Sequence, residues 1–362
     1  MLQISNTAPV LVTGGGGYLA SWLVKQLLEE GLTVRITVRD LSDNQKVAHL
    51  KELAQHSTGQ LEIYAADLLV PGSFDIAMKG TQVVFHTASP FMLGNITDAQ
   101  RQLVKPALQG TENVLSSVNR CESVNRVVLT SSVVAVMGDN AEISQTSGGQ
   151  FDETCWNETS DVNHQPYSYA KTLAEKAAWR MVKAQRRWNL VVINPGFILG
   201  PSLSKWQRSF SIDTMIGMAN GQYKSGLPQL YNGIVDVRDA ARAHLLAAFV
   251  PSASGRHIVV NQTFSLLEIA NILSRQFPNQ FDFAKWEIPK WLLWMIAPFI
   301  GKTRRYVSDN FNVEVSFDNS RSIGKLGMVY LPIESTLGDH LQQIIDDGLL
   351  ETVATVQTSK AV

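Results

Sequence analysis

The first half of the chain alternates short runs of β-branched and apolar residues with longer amphipathic stretches. This alternation is typical of repeated strand–helix–strand units, whose strands form a parallel sheet with helices on both faces. It therefore predicts an α/β fold built on a doubly wound parallel sheet. The candidate strands are Val10–Thr13, Thr33–Val38, Leu61–Ala65, Gln82–His86, Arg126–Ser131 and Leu190–Asn194.

Composition excludes several other classes of protein. The 362 residues are 45% hydrophobic and 17% charged, which is the profile of a folded globular protein. The formal net charge is -1 and no run of Lys and Arg stands out, so the sequence gives no electrostatic reason to expect nucleic-acid binding. With only Cys121 and Cys155, and scattered histidines without ligand spacing, we expect neither a disulfide framework nor a metal site.

A glycine-rich turn joins the first candidate strand to the first amphipathic stretch. Gly14 allows a tight turn, Gly17 allows the backbone to approach a pyrophosphate, and the small Ala20 allows the helix to pack on the strand. The first helical residues, Tyr18 and Leu19, would present their amides to the phosphates. A glycine-rich turn by itself is also found in ordinary loops, but this position between strand and helix predicts a Rossmann-type dinucleotide-binding domain.

The end of the second strand bears on the choice of cofactor. An acidic residue here favours the ribose 2′-hydroxyl of NADH, whereas an arginine favours the 2′-phosphate of NADPH. Arg39 precedes Asp40, and Lys46 follows about two helical turns later, so we favour NADPH over NADH. The alternative is that Arg39 and Lys46 are solvated charges and that Asp40 lies in a turn or caps a helix. Asp67 and Leu68, just after the third strand, are expected near the adenine, although Asp67 is also a common turn former.

Tyr167 and Lys171 are the candidate catalytic pair. Their spacing of four residues places both side chains on one face of a helix. Hydride transfer to a carbonyl carbon leaves negative charge on oxygen, which needs hydrogen-bond donors and then a proton. Tyr167 would be the general acid, with its pKa lowered by Lys171 and by the oxidised nicotinamide, and Lys171 would also bind the ribose. Ser132, at the tip of a strand, would supply a second hydroxyl for the substrate oxygen.

The order of these motifs resembles the extended short-chain dehydrogenases/reductases. Within that family the chain is similar to the branch of dihydroflavonol reductases, cinnamoyl-CoA reductases and fungal aldehyde reductases, from about Val10 to at least Leu246. The segments that carry the resemblance are Thr13–Ala20, Thr37–Asp40, Val84–Pro90, Gly110–Leu115, Thr130–Ser132 and Tyr167–Lys171.

The resemblance implies further site residues. It selects Ser132 rather than Ser131 as the catalytic serine and places Thr87 and Ala88, within Thr87–Pro90, beside the nicotinamide and substrate. It also places Pro195, within Asn194–Phe197, over the cofactor amide, and lets Val235–Asp239 close the site. Two departures stand out: Ala20 replaces a glycine, and Val133 and Val134 follow Ser132 where small residues are common. No acidic residue follows Thr130–Ser132, which argues against dehydration of a sugar nucleotide.

The motifs suggest a division of the chain. We expect a dinucleotide-binding domain over 1–195, to which 228–262 returns, and a smaller substrate-binding region over 196–227 and 263–350, with a tail over 351–362. After Pro195 the alternation fades into turns rich in Gly, Pro and Ser, resuming as a helix at Asp236–Phe249, a strand at Arg256–Val260 and a helix at Leu266–Phe277.

The sequence favours NADPH-dependent reduction of a ketone or aldehyde on an apolar or aromatic substrate. Five apolar residues are expected near the pocket: Phe91, Phe197, Trp206, Phe210 and Met215. The alternatives are a hydroxysteroid-like alcohol dehydrogenase, a sugar-nucleotide epimerase, and a catalytically silent NADP-sensing protein on the same fold.

The chain ends and its most apolar stretch bear on location and partners. Met1–Pro9 has no charged and apolar regions of a secretory signal, so a cytoplasmic protein is expected. The apolar stretch Trp291–Ile300 is too short to span a bilayer. It would suit a lipid-like substrate or contact with a membrane surface, and such contact is not the favoured expectation. The resemblance implies a monomer or homodimer that acts on a small carbonyl or alcohol.

Overall fold

The computed structural model describes residues 8–89 and 97–350. Within these ranges the strands are β1 Val10–Thr13, β2 Thr33–Val38, β3 Gln60–Ala65, β4 Val83–His86, β5 Arg126–Thr130, β6 Asn189–Pro195, β7 Phe197–Leu199, β8 Tyr231–Asp236, β9 Gly255–Val259 and β10 Gln262–Ser265. The α-helices are α1 Tyr18–Glu29, α2 Ala48–Gln55, α3 Asp75–Met78, α4 Lys105–Arg120, α5 Pro166–Lys183, α6 Phe210–Ala219, α7 Val237–Phe249, α8 Leu266–Gln276, α9 Lys290–Ile296, α10 Arg304–Asn310 and α11 Ile333–Asp346.

Seven strands form a parallel sheet in the order β3-β2-β1-β4-β5-β6-β9. β1 and β4 are buried at every position, which is why their sequences read as continuous apolar runs. The strand order reverses between β1 and β4, and this switch point opens a crevice at the carboxyl ends of the strands. The predicted doubly wound, Rossmann-type sheet is confirmed.

Helices cover both faces of the large sheet, because side chains alternate between faces along each strand. Val10 and Val12 point to the face covered by α1 and α7, where they pack with Leu23 and Leu27. Leu11 points to the other face, into a cluster with residues of α4 and α5. Packing on both faces holds the strands in place, and this positions their carboxyl ends at one edge of the sheet.

A second, three-stranded sheet lies in the order β10-β8-β7, with β8 antiparallel to β10 and parallel to β7. Its core combines buried residues of α6, α8 and α11, among them Met215, Leu273 and Leu341. Within the segment 228–262, β8 belongs to this smaller sheet, whereas β9 is the last strand of the large one. No helix within 8–89 or 97–350 has the length and hydropathy needed to cross a bilayer.

Candidate active site

The glycine-rich turn lies at the carboxyl end of β1, where the sequence predicted it. Gly14 has a φ of +67°, in the left-handed region that favours glycine, and a Cβ there would lie 3.1 Å from the Cβ of Ala88. The amide of Gly17 donates to the carbonyl of Gly14 at 3.0 Å and leads into α1. The first-turn amides of a helix have no partner within the helix, so they suit a phosphate.

The side chains of Tyr18 and Leu19 have structural contacts. The hydroxyl of buried Tyr18 donates to the carbonyl of Gly200 at 2.5 Å. Leu19 packs against the cores of both sheets. Any contribution of these two residues to nucleotide binding would therefore come from their backbone amides.

The charged residues after β2 differ in whether their side chains have a partner. The carboxylate of Asp40 accepts hydrogen bonds from the amide and hydroxyl of Ser42 at 2.8 and 2.6 Å, which lower its pKa. Lys46 forms an ion pair with Asp43 at 2.8 Å. Exposed Arg39 has no hydrogen bond or ion pair with the part of the chain that the structure describes. Asp40 thus forms a turn, and Arg39 is the cation left free at the strand end.

Asp67 and Leu68 lie just after β3, one strand further along the sheet. Asp67 accepts a hydrogen bond from the amide of Leu69 at 2.8 Å, so its side chain stabilises a turn. The side chain of Leu68 packs on Gly110 of α4 and lines a small cavity of about 20 Å³ at the edge of the sheet.

Thr87 and Ala88 are joined to β1. The hydroxyl of Thr87 donates to the carbonyl of Thr13 at 2.5 Å, and the amide of Ala88 donates to the hydroxyl of Thr13 at 3.1 Å. The segment after β4 is thereby held against the glycine-rich turn. Pro90 and Phe91, which the sequence placed next to it, lie outside the described residues.

Ser132 and Pro195 come together at the ends of β5 and β6. The hydroxyl of Ser132 accepts a hydrogen bond from the amide of Val134 at 3.3 Å and lies 3.5 Å from the carbonyl oxygen of Pro195. Ser131, its neighbour, points instead into the protein and donates to Glu175 at 2.5 Å. Of the two serines, Ser132 is the one whose hydroxyl is not engaged by a charged group.

Tyr167 and Lys171 are carried by the first turns of α5. Tyr167 is 48% exposed, and desolvation by the surrounding protein raises its pKa to about 12. Burial lowers the pKa of Lys171 to about 8, with Glu175 acting in the opposite direction. Lys171 lines the small cavity together with Thr130 and His86.

The start of α5 is fixed by a buried polar cluster. Gln165 has a left-handed backbone, with a φ of 54°, and its side chain donates to Asp139 at 2.6 Å and to the carbonyl of Gly138 at 2.9 Å. Asp139 also contacts His164 at 2.8 Å and Asn310 at 2.6 Å. These bonds hold the turn immediately before Tyr167.

Glu175 is a residue of this site that the sequence interpretation missed. It follows Lys171 by one turn on the same face of α5, and it is fully buried. Its carboxylate pairs with Arg256 at 2.7 Å and accepts hydrogen bonds from Ser131 and from Asn194. Spacing alone could have marked Glu175, but its partner Arg256 lies 81 residues away along the chain.

Comparison with known proteins identifies the family. Residues 11–266 match the model of the 3-beta hydroxysteroid dehydrogenase/isomerase family. The chain belongs to this family. It is 41% identical over 273 residues to cinnamoyl-CoA reductase CAD2 of Medicago truncatula, covering 75% of this chain and 81% of the relative. It is 35% identical to tetraketide alpha-pyrone reductase 1 of Arabidopsis thaliana, covering 95% and 97% of the two chains.

Solved structures of reductases have the same fold as this family member. Gre2 of Candida albicans in complex with NADPH is 28% identical, with a TM-score of 0.76 over 94% of this chain and 99% of that one. Yeast methylglyoxal/isovaleraldehyde reductase Gre2 complexed with NADPH is also 28% identical, with a TM-score of 0.75 over 94% and 100%. The resemblance to the extended short-chain dehydrogenases/reductases is confirmed, and so is the prediction of an oxidoreductase.

The 3-beta hydroxysteroid dehydrogenase/isomerase family member presents aromatic surface beside α6. Phe197 and Phe210 lie with their ring centroids 5.8 Å apart, and Phe210 and Trp206 are both more than half exposed. Met215, which the sequence placed in the same region, is buried in the core of the small sheet. The aromatic surface offered by the described residues here is therefore that of Phe197, Trp206 and Phe210.

Proposed function

We propose that this chain reduces a ketone or aldehyde to an alcohol with NADPH, acting on an apolar or aromatic substrate. Tyr167 is the general acid, Lys171 tunes it, and Ser132 holds the carbonyl oxygen. The observation that carries this proposal is the state of Tyr167, which is half exposed. Its hydroxyl has no hydrogen-bond partner within 8–89 or 97–350, so it is available to a substrate oxygen.

The cofactor prediction is NADPH, and it is confirmed by the reductases of the same fold in complex with NADPH. The residues of this chain fit that group. A Cβ at Gly14 would enter the narrow space beside Ala88, so the turn is built for glycine, and Arg39 is free to meet a 2′-phosphate. The turn and the first amides of α1 would hold the pyrophosphate, and Lys171 would hold the ribose.

The proposed chemistry uses three polar side chains. NADPH supplies a hydride when bound. The hydroxyls of Ser132 and Tyr167 donate hydrogen bonds to the carbonyl oxygen, and Tyr167 gives up its proton as negative charge develops there. Burial raises the pKa of Tyr167 to about 12, opposite to the direction expected from the sequence, so the proposed proton transfer relies on the positive charges of Lys171 and of the oxidised nicotinamide, which would favour the tyrosinate.

The substrate class rests on the aromatic surface of Phe197, Trp206 and Phe210. Planar and apolar molecules pack well against such rings. Two relatives are named cinnamoyl-CoA reductase and anthocyanidin reductase, and the substrates in these names are aromatic. The family name favours a second candidate, oxidation of a 3β-hydroxysteroid by the same three residues.

The test is oxidation of NADPH, followed by absorbance, across a panel of aromatic and aliphatic ketones, aldehydes and CoA thioesters. Tyr167→Phe is expected to lower kcat by about 10²–10⁴-fold, since the general acid is lost. NADPH affinity, measured by fluorescence titration, is expected to stay within about twofold because no ring contact is removed. A parallel assay with NADP⁺ and 3β-hydroxysteroids tests the second candidate.

Tyr169→Phe is the matched control, because Tyr169 lies on the same helix and packs beside the cluster of Leu103, Val104 and Ala170. We expect this control to keep the wild-type rate. Equal rates for wild type and Tyr167→Phe would overturn the mechanism. Tight NADPH binding without turnover of any carbonyl or steroid would instead favour an NADP-sensing protein.

A further inference from the structure

Helix α9 has two apolar faces. Leu293 and, just beyond the helix, Ala297 are buried and pack against Val307 and Phe311, which closes the hairpin formed by α9 and α10. The residues of the other face follow the helical spacing i, i+3, i+4 and are exposed. They are Trp291, Trp294 and Met295, and the short 3₁₀-helix Ala297–Ile300 adds Phe299 and Ile300.

These five residues, which we call the aromatic patch, are unusually open for their size. Phe299 is 89% exposed and Trp291 is 64% exposed. Single exposed apolar residues are normal on protein surfaces, but five within ten residues of the chain are typical of a surface that contacts something else. We therefore expect the aromatic patch to have a partner.

The hairpin cannot turn the aromatic patch inward. The side chain of buried Asn310, at the end of α10, donates to Asp139 at 2.6 Å, and the amide of Asn140 donates back to Asn310 at 3.1 Å. On the α9 side, the ammonium of Lys290 donates to the carbonyl of Ser308 at 2.7 Å. These bonds anchor the hairpin with the patch facing outward.

Cations lie beside the aromatic patch. The guanidinium of Arg304 lies 4.4 Å from the ring of Trp294, and the ammonium of Lys302 lies 5.0 Å from the ring of Tyr306. Lys290 lines one groove with Trp291, Trp294 and Met295. Residues 285–309 hold five Lys and Arg and two acidic residues, in a chain whose formal net charge is -1.

We propose that the aromatic patch docks on the surface of an anionic lipid bilayer. Trp and Phe side chains prefer the boundary between headgroups and acyl chains, and Lys and Arg beside them are attracted to anionic headgroups. A second copy of this chain fits less well, because a symmetric contact through the patch would bring the same cations face to face. This docking is independent of the reaction proposed above.

The experiment is flotation of the full chain with vesicles of phosphatidylcholine containing phosphatidylserine, compared with vesicles of phosphatidylcholine alone. We expect recovery with the anionic vesicles at low salt and a marked loss of recovery at high salt. The double variant Phe299→Ser/Ile300→Ser is expected to lower the bound fraction at least about tenfold. Lys302→Glu/Arg304→Glu is expected to lower binding to the anionic vesicles only.

Matched controls use exposed residues elsewhere. Ile76→Ser/Val329→Ser removes two apolar side chains that are 78% and 85% exposed, and Lys183→Glu/Arg186→Glu reverses two exposed charges. NADPH binding and the melting curve of each variant verify its fold.

Three results would overturn the proposal. The first is a wild-type chain that fails to float with anionic vesicles at low salt. The second is a loss of binding in Phe299→Ser/Ile300→Ser no larger than in Ile76→Ser/Val329→Ser. The third is a dimer in light scattering, without lipid, that Phe299→Ser/Ile300→Ser converts to a monomer, because the second copy would then be the occupant.

Discussion

At the scale of single residues, the buried carboxylate of Glu175 links both ends of the candidate site. One oxygen accepts from Ser131, the neighbour of Ser132, and from Asn194, the neighbour of Pro195. The other pairs with Arg256, whose guanidinium also lies 3.9 Å from the ring of Trp156. Glu175 is one helical turn from Lys171 and raises its pKa, so we infer that it is a positioning residue for that lysine.

Glu175→Gln tests this role through pH. Glu175 opposes the fall in the pKa of Lys171 that burial causes, so its loss lowers that pKa below about 8. The proposed mechanism needs a charged Lys171, and kcat/KM on the alkaline side is therefore expected to fall at a pH about one unit lower than in wild type. Breaking the buried pair with Arg256 should also destabilise the chain by about 3–5 kcal/mol.

The control is Glu112→Gln on α4, whose carboxylate is partly exposed and lies 3.9 Å from Arg180. We expect this variant to keep both the pH profile and the stability of wild type. A Glu175→Gln enzyme that is destabilised but has an unshifted alkaline limb would leave Glu175 with a structural role alone.

At the scale of elements, the strands of the large sheet were predictable and those of the small sheet were not. The predicted bounds of β1 and β2 coincide with the structure: β1 is buried at every position, and β2 carries the β-branched residues typical of strands. β8 contains Asn232-Gly233, which reads as a turn. In the fold, the missing Cβ of Gly196 lets the carbonyl of Gly233 approach closely, and the missing Cβ of Gly233 leaves room for the ring of Phe317.

The residues of the candidate site also fall into those that the sequence predicted and those that it did not. The glycine-rich turn and the pair Tyr167 and Lys171 were visible in the sequence because local spacing alone brings their members together. Glu175 with Arg256 and Gln207 with the glycine-rich turn were not visible, because each pair joins residues that are far apart along the chain. Only the packing of elements creates such contacts.

Gln207, in the segment between β7 and α6, holds the glycine-rich turn from the side of the small sheet. Its side-chain amide donates to the hydroxyl of Ser21 at 2.7 Å and to the carbonyl oxygens of Gly16 and Gly17 at 3.3 Å. Its own oxygen accepts from Ser202 at 2.7 Å. Because a trans peptide directs its N–H opposite to its C=O, this contact also fixes the amide of the residue after Gly17.

Gln207→Ala is therefore expected to weaken NADPH binding by about tenfold, which corresponds to the loss of about one hydrogen bond. The measurement is a fluorescence titration with NADPH, alongside KM for the carbonyl substrate. Gln222→Ala, at an exposed position after α6, is the control and should bind NADPH like wild type. An unchanged affinity for NADPH in Gln207→Ala would show that the contact does not shape the turn.

At the scale of the whole molecule, several histidines are enclosed in the fold without a charge partner. His86 lies against the hydroxyl of Thr13, His244 against that of Thr130, and His340 accepts from the amide of Gly200 at 3.1 Å. Burial lowers the pKa of His86 and of His340 to about 3 and that of His244 to about 4. The fold therefore keeps these side chains neutral.

Because these histidines stay neutral in the folded chain, the free energy of unfolding decreases as the pH falls. An unfolded histidine takes up a proton below about pH 6.5, whereas folded His340 does so only near pH 3. Between these pH values the unfolded chain binds one more proton than the folded chain. The stability contributed by neutral His340 is therefore complete above pH 6.5 and is lost as the pH falls. Each such histidine contributes a slope of about 1.4 kcal/mol per pH unit within that window.

His340→Gln removes one of these protons, and a glutamine oxygen can still accept from the amide of Gly200. The free energy of unfolding, from urea titrations at pH 7, 6 and 5, should therefore fall less steeply in the variant than in wild type. The exposed His56 gives the control, since His56→Gln should keep the wild-type slope. A slope in His340→Gln equal to that of wild type would mean that His340 is protonated in the folded chain, because a proton held by both states leaves the equilibrium unchanged.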